Sequence, residues 1–229
     1  MSFAQSNAVA KIPSVQPIPF GSTSPGAGGH SVQSSGMFVS DLRHFLDLPD
    51  DAPGPARKMA EQLGNVVRVA TAAEAGAAWV SALPCRRRPG RRLCPGRIAV
   101  LRPEVPARIE WRCTSCGDEG VVSGWEGTYF DLRTRGPHRH DGVVAEVVVS
   151  DDVAATLRDL RLLDTECARL VYRARAVDDG VALAADEEGL DELIGCVAAE
   201  ANHEPNRRRQ ERLDRAFAVL SDALDAMGS

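Results

Sequence analysis

Four of the six cysteines fall in two pairs: Cys85 and Cys94, eight residues apart, and Cys113 and Cys116, two residues apart, with eighteen residues between the pairs. Four thiols spaced this way confine the fold more than any hydrophobic pattern in the chain, because bringing them together pins two distant turns to one point. Cys113-Thr-Ser-Cys116 followed by Gly117 offers two soft metal ligands from a single tight turn. Glycine suits the position after the second sulfur, where the backbone often takes a conformation that side chains resist. The spacer in the first pair is longer than is usual for such sites, and Pro89-Gly90 supplies a way to fold it back.

The residues between the pairs support the same point by geometry. Residues 97 to 102 and 107 to 112 read as two six-residue strands around Pro103-Glu104-Val105-Pro106. The second alternates, with Ile109 and Trp111 on one face and Arg108, Glu110 and Arg112 on the other. Each leg spans about 20 Å, so the returning strand ends beside its start and Cys94 and Cys113 share one end of the hairpin. A third strand near residues 120 to 125 completes a small antiparallel sheet.

This arrangement resembles the zinc ribbons, a broad class of four-cysteine modules. The resemblance rests on Cys94-Pro95-Gly96, the hairpin and Cys113-Thr114-Ser115-Cys116-Gly117, and covers about forty residues. It implies a structural zinc on Cys85, Cys94, Cys113 and Cys116, and frequent use in binding nucleic acid or protein. Four protein ligands leave no open position for a catalytic water, which argues against metal-dependent hydrolysis. A redox role for Cys113 and Cys116 finds no βαβ pattern around the pair. Residues 37 to 135, with Trp111-Arg-Cys-Thr-Ser-Cys-Gly-Asp-Glu-Gly120, also resemble an uncharacterised bacterial protein.

No secretory pattern opens the chain and no run approaches the roughly 18 apolar residues of a membrane span, so a cytoplasmic location is expected. In a reducing compartment a tight cysteine pair reads as a metal site rather than a staple.

The formal charge of −5 hides an uneven distribution. Residues 85 to 112 carry nine arginines against two glutamates, and residues 143 to 204 carry fifteen carboxylates against five arginines. Five of the arginines, Arg86, Arg87, Arg88, Arg91 and Arg92, lie in the loop between the first two cysteines. One or two of them suffice to offset the −2 charge of a four-thiolate zinc centre. A cluster of five on a surface loop also matches what phosphate-backbone contact requires. Three uses remain open here: nucleic acid, a protein partner, and docking onto the acidic second half. Trp111 and Trp125 are the rings close enough in sequence for stacking, and Trp111 is expected to face the core instead.

The reading along the chain is α+β, in two modules. Residues 1 to 36, rich in Ser, Gly, Pro and Gln, read as a disordered tail, and Met37 as an original start. Residues 37 to 135 read as a helical lead-in with the zinc ribbon. The lead-in comprises a short helix capped by Ser40, a longer one from Gly54-Pro55 through Met59, Leu63, Val66 and Val67, and a third from a Thr71/Glu74 capping box through Trp79, Val80 and Leu83. Residues 136 to 142 read as a linker. Residues 143 to 229 read as an acidic α+β domain: strand 143 to 149, helix 151 to 162, strand 168 to 176, a turn at Asp179-Gly180, strand 181 to 184, then two helices.

Other residues carry weaker chemistry. His138 and His140 can ligate a metal but sit in a Gly/Pro-flanked linker. Glu200 and His203, three apart on a helix, resemble half of a dinuclear carboxylate site without its second half. Equally, Asn202 or Glu204 can end one helix around Pro205, and Glu204 can pair with Arg207 or Arg208 across the next turn. Residues 186 to 226, with Ala199-Glu-Ala-Asn-His203, resemble a tract in small uncharacterised bacterial proteins. Cys167 and Cys196 read as isolated, on a strand edge and a helix core face. The expectation is a non-catalytic zinc-binding adaptor or regulator, with an enzyme acting at Glu200 and His203 as the alternative.

Overall fold

The computed structural model describes residues 38–49, 51–133 and 144–228, so the tail at 1 to 36, the linker at 136 to 142, and His138 and His140 lie outside the described residues. The architecture is α+β, with two sheets and five α-helices among the described residues.

β1 (Phe38–Asp41) leads into a 3-10 turn, Leu42–Phe45, and then α1 (Gly54–Ala72). β2 (Trp79–Pro84), β3 (Arg97–Leu101), β4 (Ile109–Cys113) and β5 (Glu119–Ser123) complete the first sheet, in the order β1-β5-β4-β3-β2. β1 lies parallel to β5 and the remaining pairs are antiparallel. The three strands expected around the cysteines are therefore the centre of a five-stranded sheet. The second sheet, order β6-β8-β7, holds β6 (Ala145–Val149), β7 (Arg175–Val177) and β8 (Gly180–Ala185). α2 (Asp151–Arg158), α3 (Thr165–Tyr172), α4 (Glu187–Ala201) and α5 (Arg207–Met227) pack with it.

Three local expectations are corrected. The short lead-in helix is a 3-10 turn capped by Asp41, whose carboxylate accepts Arg43 N–H at 3.0 Å, and Ser40 lies in β1. The expected helix from Thr71 to Leu83 does not form. Thr71 belongs to the last turn of α1, where its hydroxyl donates to Val67 O at 2.7 Å and accepts Leu132 N–H at 3.0 Å, leaving no cap to offer. Gly76, at φ +90°, breaks the chain away, and Trp79 to Pro84 become a strand. The expected strand at 168 to 176 is instead α3 followed by β7. Asp164 caps α3 by accepting Cys167 N–H at 2.8 Å, and its buried positions Cys167, Ala168, Val171 and Tyr172 follow helical spacing.

An irregularity in β2 joins the two halves of the chain. Register with β3 shifts between Val80 and Pro84. The fully buried Ser81 fills the gap: its hydroxyl donates to Ile98 O at 2.7 Å and accepts Leu83 N–H at 3.2 Å. Ala82 N–H is freed to reach Ala174 O at 3.0 Å, just before β7. Nearby, Arg97 pairs with Asp151 at 2.6 Å, and Tyr172 hydroxyl donates to Asn65 Oδ1 at 2.9 Å. One continuous buried core runs from Leu42 to Leu220.

Candidate metal centre and its arginine loop

The four cysteines come together where two hairpins turn. Cys85 follows β2 and Cys94 precedes β3; Cys113 ends β4 and Cys116 precedes β5. Cys85 Sγ lies 3.7 Å from Cys116 Sγ and Cys94 Sγ lies 3.6 Å from Cys113 Sγ, with all four sulfurs within 4.8 Å of one another. A sulfur tetrahedron with bonds of about 2.3 Å has edges of about 3.8 Å, so these separations fit one ion at the centre and are too long for disulfides. Cys94 and Cys113 share one end of the β3–β4 hairpin, where Ile98 pairs with Cys113.

The two turns repeat one another despite their unequal lengths. Each cysteine has a backbone N–H from two residues on directed at its sulfur: Arg87 on Cys85, Gly96 on Cys94 and Ser115 on Cys113, each at 3.4 Å, and Asp118 on Cys116. Cys85 N–H donates to Gly96 O at 2.9 Å, and Cys113 N–H donates to Asp118 O at 2.7 Å. In both cases the acceptor lies two residues past the second cysteine. The long spacer is accommodated because Cys94 N–H donates to Arg87 O at 3.0 Å, closing the excursion of residues 88 to 93 at its neck.

Gly96 is required for this approach, since a Cβ placed there would lie 2.4 Å from Cys113 Sγ. Gly117, at φ +68°, turns the second knuckle as expected.

The thiols are not equivalent. The Gly96 N–H holds Cys94 down to about 7. Desolvation pushes the Cys85 and Cys116 thiols up, and a cation held among the four sulfurs would favour their thiolates. Cys85, Cys94 and Cys113 are buried and Cys116 is exposed.

The structure divides the arginines of residues 85 to 112 by partner. Arg86 and Arg87 flank Asp118 at 3.6 and 3.9 Å, and Arg86 also reaches Met59 Sδ at 3.2 Å. Arg102 donates to Ala70 O and Ala73 O at the end of α1, at 2.9 and 2.8 Å. Arg108 pairs with Glu110 and Arg112 with Glu119. Arg97 pairs with a carboxylate of the acidic half, Asp151. Arg88, Arg91 and Arg92 are exposed and make no ion pair among the described residues. They ride on a turn in which Gly90 and Arg91 both have positive φ, closed by Arg91 N–H to Arg88 O and Arg92 N–H to Pro89 O. Trp111 and Trp125 are both buried, so neither offers a stacking face.

Glu200 and His203 form no comparable site. Glu200 is buried; one carboxylate oxygen accepts from Arg209 and the other accepts Arg161 N–H at 2.7 Å. Arg209 also pairs with Glu204 and donates to Asp159 O at 2.9 Å, so it locks the α4–α5 turn to the end of α2. The partner of Glu204 is thus Arg209 rather than Arg207 or Arg208. Asn202 ends α4 and Asn206 caps α5. His203 is exposed.

Cys167 and Cys196, expected to be isolated, meet with sulfurs 3.7 Å apart, and Asp164 joins them within 4.8 Å. Reading Cys167 onto a strand concealed this contact between α3 and α4. Among the described residues no helix is long and apolar enough to cross a membrane.

Comparison with family models, with curated proteins and with solved structures gave no match, so the functional reading stands on the geometry above.

Proposed function

We propose that this chain is a non-catalytic zinc-binding adaptor or regulator that contacts the phosphate backbone of nucleic acid. Its zinc-ribbon-like unit is built on Cys85, Cys94, Cys113 and Cys116. A set of four thiolates suits zinc, and four protein ligands make its role structural. The observation that carries the reading is the division of the loop arginines. Arg86 and Arg87 are engaged beside the cysteines by Asp118, while Arg88, Arg91 and Arg92 project on a closed turn with no carboxylate partner among the described residues. Docking of the loop on the acidic half is disfavoured, because the contact to that half runs through Arg97 instead. Lys58 lines a groove of about 580 Å³ with Arg86, Arg87 and Arg88, extending the cationic surface onto α1.

The test is a salt titration of binding to single- and double-stranded oligonucleotides, with wild type and an R88A/R91A/R92A variant. Three phosphate contacts give a log–log salt slope of about −2 to −3. The variant is expected to lose that slope and most affinity while keeping its zinc and its melting temperature. A flat salt response in the wild type, or unchanged binding in the variant, overturns the reading.

A further inference from the structure

Away from the cysteines, α1, α2 and α3 enclose a cleft of about 150 Å³ beside the aromatic pair Tyr129 and Tyr172. Its charge is lopsided: Arg68, Arg158 and Arg161 line it against one carboxylate, Asp164. That carboxylate is already engaged at the start of α3, where Oδ1 accepts Cys167 N–H at 2.8 Å.

Two of the guanidiniums are half-buried and make no ion pair among the described residues. Arg68 is held between rings, 4.6 Å from the Phe130 centroid and 5.5 Å from that of Tyr172, and its Nη1 donates to Asn65 Oδ1 at 3.2 Å. These contacts orient the cation without neutralising it. Arg158 makes no hydrogen bond or ion pair among the described residues. Burial, the leading cause, lowers its proton affinity and Arg97 adds to this, while Tyr172 and Asp151 act the other way without pairing with it. Glu61 acts on Tyr172 from the neighbouring cleft, which it lines with Asp152 and Asp159. Arg158 lines that cleft too, where the buried Gln62 Nε2 has no hydrogen-bond partner among the described residues.

A cation partly withdrawn from water without a carboxylate paired to it is costly, and a fold that keeps one beside a cavity gains by admitting an anion. Guanidiniums from three different segments favour a compact group with acceptors on several sides, as a tetrahedral dianion has. The cleft holds the volume of about five water molecules, enough for such a group but not for a whole nucleotide. At its mouth the Tyr129 ring is 65% exposed.

We infer that this cleft is a binding site for a dianionic phosphoryl group, gripped by Arg68, Arg158 and Arg161, with Tyr129 facing whatever the phosphate is attached to. The site is independent of the arginine loop and of the metal.

Calorimetric titration of the full chain with inorganic phosphate and with phenyl phosphate tests it. Both probes are expected to bind saturably, and Arg158→Met and Arg161→Ala each to weaken binding about tenfold or more, the loss of one charge-assisted contact. Arg161 is exposed, so its variant folds even if the Arg158 variant does not. R88A/R91A/R92A is expected to bind both probes as wild type does. Tighter binding of phenyl phosphate, lost in Tyr129→Ala, assigns the site to an aromatic phosphate monoester; equal affinity assigns it to free phosphate. Absence of saturable binding by either probe, or affinities unchanged in Arg161→Ala, overturns the assignment.

Discussion

Replacing Gly96 by alanine puts the metal geometry to a direct test. The added methyl group would sit 2.4 Å from Cys113 Sγ, 2.7 Å from Ser115 Cβ and 2.9 Å from Ser115 N. Ordinary contact begins near 3.4 Å, so the sulfur must retreat by about 1 Å. Metal–ligand bonds tolerate about 0.2 Å, and the backbone of the second knuckle blocks the alternative of moving the methyl group. Cys113 also accepts N–H groups from Ser115 and Cys116, so its displacement disturbs two further bonds. A ligand shifted in this way is expected to cost between about 10- and 100-fold in metal affinity, as loss of supporting contacts does. Overpacking adds about 1–3 kcal/mol of instability. Competition with a chromophoric chelator measures the affinity, and thermal melts of the metal-loaded protein measure the stability. Gly90→Ala is the control: its φ is +60° but nothing lies within 4 Å of the new methyl group. It should lower stability by about 1 kcal/mol and leave metal affinity within about twofold. Equal metal affinity in Gly96→Ala and wild type would refute the four-sulfur geometry.

Further outcomes follow from other contacts. Treatment with a chelator should lower the melting temperature steeply if an ion held by the four sulfurs ties the two hairpin turns together; a melt unmoved by chelation refutes a structural ion. Ser81→Ala removes one donor and one acceptor inside the core and should cost about 1–3 kcal/mol by denaturant titration, with weakened protection of the Ala82 amide in hydrogen exchange. Arg209→Met strands Glu200 and Glu204 and should lower the melting temperature by several degrees, well beyond the effect of Arg207→Met on the exposed side of the same helix. Arg209 holds the Glu204 carboxyl below its ordinary range, so this contribution is present above the unfolded value near 4.5 and fades as pH falls through the lower folded value. Glu204→Gln should flatten that acid limb of stability, and an unchanged acid limb would show that the pair contributes nothing.

What could be read from the residues depended on whether the signal was local. Spacing and strand length placed Cys94 and Cys113 together, and the alternation around Trp111 was enough to bury it. The Cys85 spacer looked too long because its closure is a backbone bond, Cys94 N–H to Arg87 O, which no side chain announces. Thr71 and Glu74 matched a capping box, but a hydrogen bond from Leu132, sixty-one residues on, claims the hydroxyl. Leu170, Tyr172 and Ala174 alternated like a strand, while the spacing of Cys167, Val171 and the Asp164 cap favoured a helix. That error hid the meeting of Cys167 with Cys196. It also hid the cleft beside Tyr172, since its arginines converge from α1, from α2 and from the segment that follows α2. Charge counting found the basic loop but could not divide it, because Asp118 lies beyond the second knuckle.

The neck that joins Arg87 to Cys94 makes the six residues beyond it a detachable appendage. Segments of other lengths and chemistries should be accepted between those two points without displacing a sulfur, so the four-cysteine cluster and the exposed turn are free to vary separately.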